Sequence, residues 1–376
     1  MHDVIIVGAG PAGAACALSL SRGGYRVALL DGATFPRDKI CGDAIPGAAC
    51  RSLARLADEL GLPRPPAAVT EDIRHARFYA DRPRPLRLTW SVPAYNATRE
   101  AFDDWLYRTV RERTDTDVHE GVRVRGVRRE RDRLVVEADG GEWAGRFVVG
   151  CDGAHSAVAR SLTDTRLDRR HHFAAVRAYF QDVSGARAAT NDVYYLRRWQ
   201  PGYLWVFPLP GNLYNVGFGM ASDEVSRRRI NLRTAMAEAL DEHPGLRERF
   251  ASAQQIGPTA GFGLPVGSRS VRAHGDRFVL CGDAAALIDP IGGHGIDKAI
   301  DSGVYAAECA LACLREGRFD ADATARYERA LARHVRPTLR RNGRIMRLGT
   351  RFPWLATALV ELERVPWLKA IAQQAM

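Results

Sequence analysis

The sequence predicts an α/β protein in which a Rossmann-like nucleotide-binding sheet is interleaved with an antiparallel β-sheet and followed by a helical C-terminus. Three observations carry this. Residues 3–31 read strand, glycine turn, helix, strand: "DVIIVG" is a buried apolar run, "PAGAACALSLSRGG" a small-residue helix and "YRVALLD" the next strand. Buried runs of the same kind return at 147–151 and at 276–288, the second as "DRFVLCGDAAALI" with its small-residue turn. Between them, 73–97 and 173–220 are rich in short strands with a different, alternating pattern.

In chain order, "FPRDKICGDAIP" (35–46) is too polar and too broken for a core strand, and "LPRPPAAV" (62–69) reads as a linker. "IRHARFYA" and "LRLTWSV" alternate as strands, and 98–113 forms a helix with Thr98 as its cap. "VRVRGVRRE" and "RLVVEADGGEWAGRFVVGCDG" make a meander that returns to the buried strand at 147–151. "FAAVRAYF", "DVYYLRRW", "GYLWVFPL" and "LYNVGFGM" are further strands; 224–251 holds one or two helices and 297–376 is largely helical. The chain thus leaves the nucleotide-binding sheet, builds an antiparallel layer and comes back. The expected division is a nucleotide-binding domain at 1–72, 98–165 and 268–320, a substrate domain at 73–97 and 166–267, and C-terminal helices at 321–376.

The bulk numbers exclude several classes. A chain of 376 residues can bury a real core. No apolar run approaches 18 residues, so no spanning helix is expected. The N-terminus opens on a strand and a glycine turn, which implies a cytoplasmic protein. The seven cysteines show no metal-site spacing, so buried, inert thiols in a reducing compartment are expected. The formal charge is +10, but only Lys39, Lys298 and Lys369 are lysines. The remaining basic residues are arginines scattered beside acids, as in "RRERDR", and nothing resembles a nucleic-acid recognition element.

"GAGPAG" supplies Gly8, Gly10 and Gly13 between strand and helix. Gly8 allows the tight turn, Gly10 admits a pyrophosphate to the backbone, and Gly13 lets helix and strand pack closely. The helix N-terminus favours the phosphate charge, and Asp31 closes the second strand where a carboxylate can accept from a ribose hydroxyl. Two further motifs follow in order: Asp152–Gly153 with Ser156 and Arg160, then Gly282–Asp283 with Pro290, Gly292, Gly293 and Gly295. This order resembles the flavoprotein hydroxylase superfamily and implies FAD. The resemblance assigns Asp283 to the ribityl chain and brings the loop through Gly293, Gly295 and Ile296 to the flavin ring. Ala12 and Val124 join the implied FAD-binding set. No second GxGxxG occurs, so NAD(P)H or another electron donor would bind transiently.

Three stretches narrow the resemblance to the geranylgeranyl reductase family. "PRDKICGDA" is similar to that family's Pro-Arg-x-Lys-x-Cys-Gly segment, "TREAFDDWL" to its Arg-x-x-Phe-Asp helix, and Tyr203-x-Trp205-x-Phe207-Pro208 to its YxWxFP signature, with "NVG" following. The resemblance covers most of 1–320. It implies that Arg99 meets the pyrophosphate and that the Cys41–Gly42 turn lies against the flavin, with the amides of Gly42, Asp43 and Ala44 near the cofactor. It also implies that Tyr203, Trp205 and Phe207 line a pocket for an extended apolar substrate; strand alternation alone would equally suit a sandwich core. Two residues depart from the family: Asp43, where Gly or Glu is common, and His294 in "GGHGI", where Gly, a carboxamide or an acid is more usual. Cys41 is either a thiol facing the substrate or a small residue demanded by packing. His294 is either a loop residue or a group that touches flavin.

The implied activity is FAD-dependent reduction of a carbon–carbon double bond in an isoprenoid or other apolar natural product, with Cys41, Asp43 and His294 as candidate proton donors. A class A monooxygenase shares the fold and stays open as the alternative, since it needs a dry pocket more than a special side chain. A flavin-dependent halogenase fits less well, because no lysine is placed like the catalytic one of those enzymes. An RNA-modifying flavoprotein is disfavoured by the dispersed arginines. The segment 352–376, with Trp354, Leu355, Leu359, Leu362, Trp367 and Leu368 apolar, is read as a lid over the pocket that also makes weak membrane-surface contact, or as an ordinary core helix.

Overall fold

The structure is a computed structural model, and it describes residues 1–80, 85–352 and 354. β1 (His2–Val7) leads through the glycine turn into α1 (Pro11–Leu20), and β2 (Val27–Leu30) lies parallel to β1. There follow β3 (Ala44–Ile45), α2 (Gly47–Leu60), the antiparallel pair β4 (Glu71–Tyr79) and β5 (Leu86–Asn96), α3 (Arg99–Arg113) and β6 (Asp117–His119). The meander β7 (Val124–Arg129), β8 (Leu134–Ala138) and β9 (Gly141–Gly150) runs into α4 (Ala157–Leu162). Next come β10 (His172–Gln181), β11 (Thr190–Tyr194), β12 (Tyr203–Leu209) and β13 (Leu213–Ala221). Three short helices, α5 (Ser222–Arg228), α6 (Leu232–Glu242) and α7 (Pro244–Phe250), precede β14 (Gln254–Pro265), β15 (His274–Gly275) and β16 (Phe278–Leu280). The chain continues through α8 (Ile296–Glu316), α9 (Ala321–His334) and α10 (Arg336–Arg351).

Two eight-stranded sheets result. The first runs β15-β16-β9-β1-β2-β6, with β7 and β8 added beside β9; β16, β9, β1, β2 and β6 are mutually parallel. Helices cover these parallel strands, which is why β1, β2 and the end of β9 read as continuous apolar runs. The second runs β14-β10-β13-β12-β11-β4-β5-β3 and is mostly antiparallel. Small residues in α1 are explained by α8: a Cβ on Gly303 would sit 2.2 Å from the Ala12 carbonyl oxygen, so the two helices meet at backbone contact. No described helix is long and apolar enough to cross a membrane.

One local expectation is revised, and two elements appear that the sequence did not mark. The 224–251 region holds three helices, because Arg229 adopts φ +52° after α5, Asn231 caps α6, and Pro244 starts α7. α2 carries much of its buried face on Ala49, Ser52, Leu53 and Leu56, a pattern too weakly apolar to stand out in sequence. Ala44–Ile45, inside the stretch read as unfit for a core strand, makes a two-residue pairing with Tyr95–Asn96 at the sheet edge. The C-terminal segment lies outside the described residues except for Phe352 and Trp354, which are exposed.

Candidate active site

The glycine turn after β1 is built by exclusion. Gly8 has φ +99°, and a Cβ there would sit 2.4 Å from the Cys151 carbonyl oxygen; one on Gly13 would sit 1.8 Å from that of Gly8. Both glycines are therefore required by contact between backbones. Gly10 differs: its φ of −69° suits any residue, and the nearest atom to a Cβ is Arg37 Nη2 at 3.7 Å. Gly10 faces a cleft of about 360 Å³, within the range of ligand pockets, which Gly8, Ala12, Asp31, Arg99, Val124, Asp152 and Asp283 also line. No side chain caps α1, so its first amides face that cleft without a partner from a capping residue. Lys39 adds a cation at the cleft, 3.1 Å from Asp283. An open helix N-terminus, a bare Gly10 and nearby cations fit the pyrophosphate of a dinucleotide.

The acids at this end do different work. Asp31 accepts from the Ala9 amide at 2.7 Å and the Ala33 amide at 2.8 Å, which sets the turn. Asp152 accepts from Ser156 Oγ at 2.5 Å and from the Ala157 and Val158 amides, so its carboxylate caps α4; burial pushes its pKa up. Arg99 is buried and forked on Asp103 at 2.8 and 2.7 Å, with Arg37 Nη1 2.8 Å from the same carboxylate. Burial raises the Asp103 carboxyl, but Arg99, Arg37 and Lys39 outweigh it and hold its pKa below the usual range. The Arg99 guanidinium also lies against the Cys41 side chain.

Residues 35–46 form a strap between the two sheets. On the first-sheet side, Phe35 stacks on Tyr107 at 4.4 Å and its amide donates to Glu120. On the second, Arg177 of β10 pairs with Asp38 and lies 4.1 Å from the Tyr179 ring centroid. Asp43, fully buried with φ +60°, accepts from Tyr179 Oη and Asn215 Nδ2, each at 2.8 Å. Asn215 Nδ2 also donates to the Cys41 carbonyl at 2.8 Å, and its Oδ1 accepts from Trp205 Nε1 at 2.8 Å. Burial raises the Asp43 pKa to about 6, against the lowering pull of Asn215, Tyr179, Arg177 and Arg99.

The aromatic strand meets this turn. A Cβ on Gly42 would lie 3.5 Å from Trp205 Nε1 and 3.7 Å from the Phe207 ring. The indole crosses Gly217 of β13, where a Cβ would sit 2.1 Å from its Cζ2, so glycine there makes room for the ring. Tyr203 reaches the other side: its hydroxyl is 2.9 Å from the Cβ position of Gly293. The structure therefore brings Cys41, Gly42, Asp43, Tyr203, Trp205, Phe207 and the 289–296 loop together; Ala44 lies at the sheet edge.

That loop is closed by Asp289, which accepts from the Ile291 and Gly292 amides at 2.9 and 2.8 Å and from Asn342 Nδ2 of α10 at 2.6 Å. Gly293 takes φ +64°, Gly295 caps α8 and Ile296 starts it. His294 Nδ1 is 3.1 Å from Asp297, which Lys298 also contacts. Burial lowers the imidazole pKa, but Asp297 outweighs it and holds it above the ordinary value. Sequence reading missed Tyr179, Asn215, Arg177 and Asp103. Their signal was present: Asn215 and Arg177 are polar residues inside apolar strands, and Arg99 and Asp103 are four apart on one helix.

Comparison with known proteins agrees with the motifs. A family of FAD binding domains matches residues 1–342. The menaquinone reductase of Mycobacterium tuberculosis is 34% identical over 325 residues, 81% of this chain and 76% of that protein. The geranylgeranyl diphosphate reductase of Rhodobacter capsulatus is 32% identical over 337 residues, 84% and 77%. A solved geranylgeranyl bacteriochlorophyll reductase-like protein from Thermoplasma acidophilum shares the fold with a TM-score of 0.84 at 23% identity, over 96% of this chain and 91% of that one.

Proposed function

The chain belongs to the geranylgeranyl reductase family of FAD-dependent oxidoreductases, and from that premise we propose that it reduces carbon–carbon double bonds of an isoprenoid or similarly apolar natural product. The observation that carries the reading is the contact of the Tyr203-Trp205-Phe207 face with the Cys41–Gly42 turn and Gly293. It supports an apolar wall beside the ring position that the family's motifs imply. Bound and reduced, FAD supplies the hydride for one alkene carbon.

An isolated alkene has no electron sink, so the other carbon needs a proton. Cys41 is the residue we assign to this step. Its side chain lies against Arg99, a permanent cation placed where charge develops on sulfur as the proton leaves. Solvent then returns the proton to the thiolate. Asp43 and His294 have other partners: Asp43 is held by Tyr179 and Asn215, and His294 by Asp297. The flavin would be reduced by NAD(P)H bound transiently or by another donor.

α10 supports access to a lipid-borne substrate. It has no acidic residue, and Arg340, Arg344, Arg347 and Arg351 flank exposed Ile345 and Leu348, an arrangement suited to an anionic bilayer surface. The reductase reading is tested by reducing the holoenzyme anaerobically and adding a panel of polyprenyl compounds. Flavin reoxidation without oxygen is expected. Reoxidation that requires air, with substrate-stimulated NAD(P)H consumption, would overturn the reading in favour of a monooxygenase.

A further inference from the structure

We propose that Asn215 is a positioning residue that fixes the Cys41–Gly42 turn against the aromatic face, holding it through the Cys41 carbonyl and the Asp43 carboxylate together. The proposal deepens the reading above and rests on it for the turn's place at the flavin.

The argument begins with hydrogen-bond capacity. Asn215 is fully buried. Its amide has two N–H donors, and the Cys41 carbonyl and Asp43 Oδ2 take both; its oxygen takes the Trp205 N–H. The orientation of the amide follows from chemistry, because an indole N–H only donates and a carbonyl only accepts. Trp205 is itself wedged over Gly217, so Asn215 links a rigid ladder, β12 paired with β13, to a strap with little regular structure of its own. A non-glycine residue at φ +60° costs energy that local bonds must offset. The Asp43 carbonyl accepts from the Ala97 amide at 3.0 Å, and its side chain is held through Oδ2 alone; its Oδ1 is buried with no hydrogen-bond partner among the described residues.

The charge of Asp43 is therefore part of the clamp. It faces Tyr179 and Arg177 from β10 and Arg99 from α3; Arg177 is itself paired with Asp38 of the strap, and Arg99 with Asp103. As a carboxylate, Asp43 accepts strongly from Asn215 and Tyr179. Protonation removes the charge that makes both bonds strong, and the new O–H has no partner on Oδ1. The turn then sits less firmly under the ring, and any flavin against it reports the change.

The test titrates the visible spectrum of the oxidised FAD holoenzyme with no substrate present. Wild type should show a one-proton transition near pH 6. Asn215→Leu keeps the branched heavy-atom skeleton and deletes the donors, so it should retain FAD and move the midpoint up by ~1 pH unit. Asp43→Asn should abolish the transition. If Asn215→Leu does not fold, Trp205→Phe keeps a ring and frees the Asn215 oxygen, and its midpoint should also rise. A purely structural Asn215 would lower the melting temperature and leave the midpoint in place, which overturns the proposal. So does a wild-type transition that survives Asp43→Asn. Because no substrate enters, failure of the reductase assay and failure of this one are separate results.

Discussion

Asp43→Asn should make the protein's stability less dependent on pH, by an amount the structure sets. The folded carboxyl titrates near 6 because burial disfavours its charge; its reference value is 3.8. The folded state thus holds the proton more tightly than the unfolded state. That contribution is fully present below pH 3.8 and is lost as the pH rises through 6. Each unit is worth about 1.4 kcal/mol, so ionised Asp43 costs the folded state about 3 kcal/mol near pH 8. Asparagine tolerates the left-handed backbone and carries no charge. Its amide brings an unsatisfied donor, but that cost does not vary with pH. Between about pH 4.5 and 8 the stability of the variant relative to wild type should therefore improve by about 2 kcal/mol. For a chain of 376 residues this is a relative gain of about 2–3 °C in melting temperature. Thermal unfolding of both holoproteins with excess FAD across that range measures it. A difference that stays constant with pH would refute the buried, perturbed carboxyl.

Gly10→Val should abolish FAD binding and leave the apoprotein's melting temperature within a few degrees of wild type, because the backbone at Gly10 is ordinary and the new side chain fills only the cleft; cofactor release and chromatography together with thermal melts would show it, and retained FAD would contradict the cleft assignment. Cys41→Ser should keep FAD and its reduction by the donor while slowing the step with substrate at least tenfold, since a hydroxyl is a far weaker acid than a thiol; equal oxidative half-reactions in the two proteins would remove Cys41 from the chemistry. Deleting residues 352–376, or replacing Arg344 and Arg347 with Glu, should weaken flotation with anionic vesicles; unchanged flotation in both would discard the membrane face.

Local sequence determined the parallel half of this protein. Strands buried on both faces must be continuous apolar runs, and backbone contacts such as Gly13 with Gly8 admit only glycine, so both leave marks within a few residues of one another. The Asp31 and Gly282–Asp283 signals belong to the same class. What the sequence could not decide is what the strap touches. Asn215 is 174 residues from Cys41 and 172 from Asp43, Tyr179 is 136 from Asp43, and Arg177 is 139 from Asp38. Each reads alone as one polar residue in a strand or loop. Asp152 is a further case: the Asp152–Gly153 dipeptide marks a residue of the cleft, but only the folded chain shows that its carboxylate also caps α4. Pairings of this kind arise when two sheets built from interleaved segments close on a strap, and desolvation then makes every unsatisfied polar atom costly. That cost selects which distant donors must meet Asp43, and no periodicity along the chain records it.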